Sequence, residues 1–240
     1  MHVNSLTNIG LVRKANEDSF LADKNRGLFV VADGMGGHEA GELASSIAIK
    51  TLDDFLTSQV ITNQKSKGLC QAIQKANELV YKESRLNSNC AGMGTTLTAA
   101  LFIDYILYVA HIGDSRAYLI RDKSINLLTR DHSLVGELFR QGELTESEAY
   151  RHPHRNILTR ALGTEREVEI DQVEIKINSG DLLLLCTDGL YNLVHDNEIL
   201  REIIQNGTDM KKTVNQLVQI ALERGGVDNI TLILVSCDGQ

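Results

Sequence analysis

Apolar positions change period several times along this chain of 240 residues. Ala40, Leu43, Ala44, Ile47, Ala48, Leu52 and Phe55 recur at i, i+3, i+4 and i+7 spacing, the buried stripe of an amphipathic helix. Ala72, Ile73, Ala76, Leu79 and Val80 repeat the pattern and predict a second helix over Leu69 to Arg85. The polar stretch TSQVITNQKSKG, Thr57 to Gly68, reads as a loop between the two. After that the period shortens. TTLTAALFI, YILYVAHI, SRAYLIR and SINLLT are runs of β-branched and apolar residues divided by short polar breaks, as in an antiparallel meander. From Asp131 to Leu162, short helical patterns and an HPH triplet predict an inserted surface subdomain. VEIDQVEIKI and DLLLLC return to strand, and helical patterns cover about Asn197 to Gln205 and Thr208 to Arg224. NITLILVS reads as a last strand. Helices and strands come in runs rather than in regular β-α-β alternation, which favours an α+β layered fold over a doubly wound sheet.

Composition adds limits more than it adds a function. An apolar fraction of 42% supports a sizeable core, and the length fits one large domain. A net charge of −8 argues against broad affinity for nucleic acid or anionic membrane. Cys70, Cys90, Cys186 and Cys237 are scattered with no C-x-x-C pair, so no zinc knuckle is expected. Cys186, inside LLLLC, reads as a core residue. The opening MHVNSLTNIG has neither the basic segment nor the apolar core of a signal peptide. Leu97 to Ile112 carries Asp104 and His111 and is too short and too polar to span a bilayer. A cytoplasmic location is the expectation.

Three familiar motifs fail on inspection. FVVADGMGGHEAGELA places a glycine-rich turn between strand and helix, but Gly34, Gly36 and Gly37 are followed by His38 and Glu39. The third glycine of a dinucleotide loop is missing, and no acidic strand end stands about twenty residues on. HEAGE resembles a zinc-peptidase helix motif except that its fifth residue is Glu42, which removes the second histidine ligand. Gly113-Asp114-Ser115 resembles an esterase nucleophile motif, yet it joins two strands and has no histidine base in a matching place.

A pattern of aspartates survives. Asp33, Asp114 and Asp188 each end an apolar strand pattern, and Asp228 stands immediately before one. One Asp-Gly pair is an ordinary turn; four acidic strand ends, two with Asp-Gly, call for a further reason. Gathered at one edge they would repel and raise one another's pKa. A hard divalent cation removes that conflict, and oxygen donors without clustered His or Cys point to Mg2+ or Mn2+. Arg13, in GLVRKANEDSF, supplies a guanidinium fork suited to a phosphate dianion. Metals with arginine suggest hydrolysis of a phosphate ester. His111, inside an apolar strand pattern, reads as a satisfied core histidine rather than a ligand. His132 is not taken as a ligand either, and His152 and His154 flank Pro153 in the inserted segment.

In order, RKANEDSF, VADGMGGHEAGELAS, GMGTTLTAAL, VAHIGDSRAYLI, LTRDHSLV, HPHRNILTRALG, DLLLLCTDGL and GGVDNITLILV resemble the metal-dependent serine/threonine phosphatases of the protein phosphatase 2C type, in their compact bacterial form. The match runs from Leu6 to about Ser236. It implies a four-layer α+β sandwich of two stacked, mostly antiparallel sheets flanked by helices, a single catalytic domain over residues 1–240. The flap would span about 131–162, mobile and beside the site, a candidate for selecting protein substrates. It also implies two Mn2+ or Mg2+ ions with water attacking phosphorus directly. Asp33 would bridge them, the Gly34 carbonyl, Asp188 and Asp228 would complete the ligands, and Asp114 with Asp188 would match a third site. Glu17 and Asp18 would hold metal-bound waters, and Arg13 would bind phosphate. Many relatives carry a proton-donating histidine where this chain has Met35. A metal-bound water then becomes the first candidate donor and His38 the second, with substrate contact an equal role for His38.

The expected activity is hydrolysis of phosphoserine and phosphothreonine on phosphorylated proteins, opposing a bacterial Ser/Thr kinase, by a monomer that binds neither nucleic acid nor membrane. A non-enzymatic phosphoprotein-binding relic is the alternative from another class, and loss of metal ligands would mark it. A phosphatase dedicated to one regulatory protein is a narrower alternative.

Overall fold

A computed structural model of the chain describes residues 1–36 and 40–237. Strands β1 (His2–Asn8), β2 (Asp18–Asp23) and β3 (Leu28–Met35) lead into helices α1 (Ala40–Phe55), α2 (Ser58–Gln64) and α3 (Ser66–Leu86). Next come β4 (Gly94–Thr95), β5 (Leu97–Ile103), β6 (Ile106–Ile112), β7 (Arg116–Arg121) and β8 (Ser124–Leu127). Helices α4 (Leu134–Arg140) and α5 (Glu146–Arg151) fall inside the inserted segment. The chain continues with β9 (Asp171–Lys176), β10 (Leu182–Cys186), α6 (Asp188–Tyr191), α7 (Asp196–Asn206), α8 (Met210–Glu223) and β11 (Ile230–Ser236).

One sheet has the order β1-β11-β10-β7-β8; the other runs β2-β3-β5-β6-β9, with β4 beside β3. Every strand pair among the described residues is antiparallel. The unbroken apolar runs FVV and LLLLC follow from burial on both faces. Along β3, Leu28 and Val30 pack under the helices while Phe29 and Val31 point at the other sheet. Along β10, Leu183 and Leu185 face that inter-sheet core, and Leu184 and Cys186 face the second helical layer. The two-residue period of a strand thus assigns alternate side chains to different cores. Helices α1 to α3 cover one sheet and α6 to α8 the other, a four-layer α+β sandwich as expected. No helix among the described residues is long and apolar enough to cross a membrane.

The structure corrects several local expectations. Thr57 to Gly68 is mostly helix: Thr57 caps α2 by accepting from the Val60 amide, and α3 begins at Ser66. Polarity misled because the exposed face of a short helix has the composition of a loop. Leu43 and Leu79 are 37% and 38% exposed, at the rim of stripes whose centres hold Ala44, Ala48, Ala76 and Val80. The four-strand meander is split: β5 pairs with β6 in one sheet and β7 with β8 in the other. Strand β9 starts at Asp171, later than VEIDQVEIKI suggested. The chain changes sheets at Gly113-Asp114-Ser115, and that crossing delivers Asp114 to the site.

Candidate active site

Antiparallel pairing explains why separated aspartates meet. The end of one strand lies beside the start of its neighbour, so the end of β3 faces the start of β2, with Asp33 and Asp18 as register partners. The end of β10 likewise faces the start of β11, and the Thr187 amide donates to the Thr231 carbonyl at 3.0 Å. Asp188 therefore lies beside Asp228.

The backbone here is fixed before any side chain acts. The Asp33 amide donates to Thr96 Oγ1 at 2.9 Å, and its carbonyl accepts from Thr95 Oγ1 and the Thr96 amide, each at 2.9 Å. Thr96 Oγ1 shares a 2.7 Å hydrogen bond with Ser115 Oγ, which ties β3 to the crossing that carries Asp114. Gly34 packs so closely on the Gly41 carbonyl of α1 that a Cβ would collide with it. A Cβ on Gly189 would meet the Asn229 carbonyl in the same way. At both places an Asp-Gly pair lets backbone approach backbone beside a carboxylate.

Electrostatically the edge is under tension. Burial first, and then the charges of Asp18, Asp188, Asp114 and Asp228, push the Asp33 carboxyl well above the usual carboxylate range. Burial, followed by Asp188 and Asp131, does the same to Asp114. Asp18 is pushed up to about 7 by burial, against hydrogen bonds from Thr231 and Thr187 that favour its charged form. Asp188 is pushed up to about 6 by burial and then by Asp228, with Asp33, Arg13 and Arg155 pulling the other way. Burial also raises Glu17. Thr187 Oγ1 donates to Asp18 Oδ2 at 2.9 Å and Asn192 to Asp188 Oδ2 at 3.0 Å. The other oxygen of each, Asp18 Oδ1 and Asp188 Oδ1, is buried without a hydrogen-bond partner.

Orphaned carboxylate oxygens in a field of like charge fit a hard cation better than any donor present. Among the described residues, no three His, Cys, Asp or Glu side chains already converge as a closed metal cage. The carboxylates share a field rather than a cage, as suits ions that complete their shells with carbonyl and water oxygens.

Arg13 reaches this edge from the loop between β1 and β2 and donates to Asp228 Oδ2 at 2.7 Å, its side chain 48% exposed. The inserted segment stands opposite. Between it and α6–α7 lies a cleft of about 240 Å³, lined by Asp114, Arg116, Phe139, Tyr150, Arg155 and Tyr191 among others. The segment's root is clamped: Arg116 donates to both oxygens of Asp131, and the His132 amide donates to the Gly113 carbonyl at 2.7 Å. Tyr150 Oη adds a 2.6 Å bond to the Asn192 carbonyl.

Arg13, Glu17, Asp18, Asp33, Gly34, Asp114, Asp188 and Asp228 thus come together at one edge, whereas His38 lies outside the described residues. His111 is the satisfied core histidine expected: it is buried, bonded to Thr98 Oγ1 at 2.8 Å and to the Arg130 carbonyl at 3.1 Å. The sequence reading missed Thr187, Asn192, Arg116, Arg155 and Asn229. Thr187 and Asn229 adjoin Asp188 and Asp228 and could have been found by asking what anchors those neighbours. Arg116 and Asp131 sit 15 positions apart in different elements, where no local pattern links them.

A family profile described as Protein phosphatase 2C matches residues 13–231. Over 246 residues the chain is 40% identical to the serine/threonine phosphatase stp of Listeria monocytogenes, spanning 99% of this chain and 96% of that protein. The crystal structure of the Mycobacterium tuberculosis serine/threonine phosphatase PstP/Ppp aligns with a TM-score of 0.92 at 36% identity, over 99% of this chain and 98% of the other. A further structure, the catalytic domain of the serine/threonine protein phosphatase PstP in complex with two manganese ions, aligns with a TM-score of 0.86 at 34% identity. That alignment covers 98% of this chain and 97% of the other.

Proposed function

Since this chain belongs to the protein phosphatase 2C family and is a metal-dependent protein serine/threonine phosphatase, we propose that its acidic edge is the catalytic centre. Asp33, the Gly34 carbonyl, Asp188 and Asp228 would hold two divalent ions, and Asp114 with Asp188 would hold a third. The all-oxygen donor set favours Mn2+ or Mg2+. One observation carries this reading: buried carboxylates from separate strand ends face each other with orphaned oxygens, beside an exposed arginine. When bound, such ions supply the charge that offsets these carboxylates and lowers the pKa of water beside the phosphate.

The chain's own groups do the rest. Arg13 offers a planar fork to the phosphate oxygens and orients the ester. Glu17 and Asp18 accept hydrogen bonds from water and hold it in place. Carboxylates surround Arg13, and water is the nucleophile on phosphorus that the family resemblance implies. Met35 has no proton to give, so the departing serine or threonine oxygen takes its proton from water or from His38. Residues 1–240 act as one catalytic domain, and the flap of about 131–162 lines the cleft through which a phosphoprotein enters. The substrates are phosphorylated proteins; a Ser/Thr kinase is proposed among them, for a cytoplasmic monomer that binds neither nucleic acid nor membrane.

Phosphate release from phosphoserine and phosphothreonine peptides, with Mn2+ and with excess chelator, tests the centre. Release is expected with the metal and lost with the chelator; undiminished release in chelator sinks the assignment. Met35→His tests the proton source. An unchanged rate and pH profile is the expected outcome, and a faster rate with a new basic limb would make that position a competent donor.

A further inference from the structure

Asn229 stands where the carriers of this site meet. Its backbone N–H donates to Asp228 Oδ1 at 2.9 Å, and Asp228 Oδ2 takes the Arg13 guanidinium at 2.7 Å. Its carbonyl lies directly against Gly189, the neighbour of Asp188. The side chain turns the other way, into the loop that joins β1 to β2. There Nδ2 donates to the carbonyls of Ile9 at 2.9 Å and Ala15 at 3.0 Å, and Oδ1 accepts from the Glu17 amide at 2.7 Å. The residue is 4% exposed, so water does not replace these partners. One buried amide therefore touches the segments bearing Arg13, Glu17, Asp188 and Asp228.

The loop it grips needs gripping. Leu11 and Val12, the two residues before Arg13, are 67% and 64% exposed; the Leu11 amide donates to the Gly226 carbonyl at 2.7 Å, and beyond that bond packing does little to hold them. An arginine on a loose loop gives up conformational freedom when it clamps a phosphate, and that loss weakens binding. Errors of about 1 Å in such groups can cost about a hundredfold. Other side chains fail at position 229 for plain reasons. Aspartate points an oxygen at two carbonyls, and leucine leaves two acceptors and a donor unpaired.

We propose that Asn229 is a positioning residue for phosphate recognition, its side-chain amide setting where the Arg13 guanidinium stands relative to Asp188 and Asp228. This rests on Arg13 as the phosphate ligand, and the test separates the two ideas.

Orthophosphate is the probe, titrated calorimetrically into Mg2+-loaded protein and assayed as a competitive inhibitor. Asn229→Asp keeps the acceptor for the Glu17 amide and removes both donations. It is expected to weaken orthophosphate binding about tenfold and to raise KM for a phosphothreonine peptide in step. In an Arg13→Ala background the same substitution should change orthophosphate affinity by less than about twofold, because coupled residues are non-additive. Equal losses with and without Arg13 would overturn the inference, as would wild-type affinity in Asn229→Asp. Arg13→Ala binding orthophosphate normally would instead overturn the role given to Arg13. Asn229→Ser, which removes the bonds without burying a charge, carries the same comparison should Asn229→Asp not fold.

Discussion

At the acidic edge Asp18, Asp33, Asp114 and Asp188 face one another, and burial followed by mutual repulsion raises the proton affinity of Asp33 and Asp114. At the root of the flap, Asp131 in the same cleft as Asp114 and Asp171 outside it lie among cations. Arg116 grips Asp131 through Nε at 3.0 Å and Nη2 at 2.7 Å while its guanidinium rests 3.8 Å from the centre of the Tyr191 ring. Asp171 takes Arg160 at 2.8 Å and His132 at 3.3 Å. Burial pushes Asp171 up, but those two partners outweigh it and hold it below its ordinary value. The residue type is shared; Asp171 is more open than the buried acids of the edge, and the counter-charge differs most. Where the chain supplies its own cations, a carboxylate is part of the fold. Where it withholds them, folding leaves buried carboxyls that must keep a proton or take up an outside cation, at a cost in stability at neutral pH.

Substituting one carboxylate in each region should break this symmetry in opposite senses. Asp33→Asn is expected to lower turnover of a phosphothreonine peptide by at least about a thousandfold, the several kcal/mol that metal-ion charge stabilisation contributes. The same variant, stripped of metal, should be no less stable than wild type in denaturant, because a buried repulsive charge is gone. Retained turnover, or a collapse of stability, would remove the distinction. Asp131→Ala should behave the other way. It leaves the Arg116 guanidinium uncompensated, costing about 2–3 kcal/mol in urea unfolding, while folded molecules keep most of their turnover of a small aryl phosphate.

The pH dependence of the metal-free protein sharpens the contrast. Asp18 and Asp188 hold their protons up to about 7 and about 6 when folded, against about 4 when unfolded. Stability from the neutral acids is therefore complete below about 4 and is lost as pH rises through 6 and 7. His111 opposes this: burial and then His132 push it down to about 4, so its contribution grows as pH rises from about 4 to about 6.5. Asp33 and Asp114 side with Asp18 and Asp188, so the acids prevail. Chelated protein should lose at least about 2 kcal/mol between about pH 5 and 8, and saturating Mn2+ at pH 8 should restore it. Asp33→Asn should flatten the slope; an unchanged slope would locate the titrating groups elsewhere.

The two regions were unequally legible in the sequence. Asp33, Asp114, Asp188 and Asp228 could be read because each stands at a strand end, where the alternation of apolar residues stops and antiparallel pairing brings ends together. The strands were legible too, since strands buried on both faces read as apolar runs, but their division between two sheets was not. The flap root was not. Asp131 and Asp171 find their partners through contacts between elements, and a charged residue in a polar stretch looks the same whether or not an arginine from another strand covers it. Asn229 was hidden for a related reason: beside an aspartate it reads as a turn residue, and only its three partners distinguish it. Helix α2 was missed because its apolar content is low, and its capping Thr57 resembles any loop threonine.

The smallest expected effect lies at Asp171, and it tests whether counter-charge rather than hydrogen bonding defines the flap root. Asp171→Asn retains one carbonyl acceptor for Arg160 or His132 and removes the charge. The site is about a third exposed, so solvent screens the pairs and the cost should stay below about 1 kcal/mol. The imidazole gives a finer reading. His132 already sits below its ordinary value because burial, followed by Arg160, outweighs the attraction of Asp171. Without that attraction its proton affinity should fall further, seen as a downfield limb at lower pH in an NMR titration of the ring. His132 faces Asp171 on β9, Arg160 and Arg140 in the flap and His111 on β6; of these only Asp171 is negative, so the direction of the shift is fixed. A rise in the His132 pKa on losing Asp171 would mean that the flap root is held by hydrogen-bond geometry alone, and the contrast with the acidic edge would then be one of packing rather than charge.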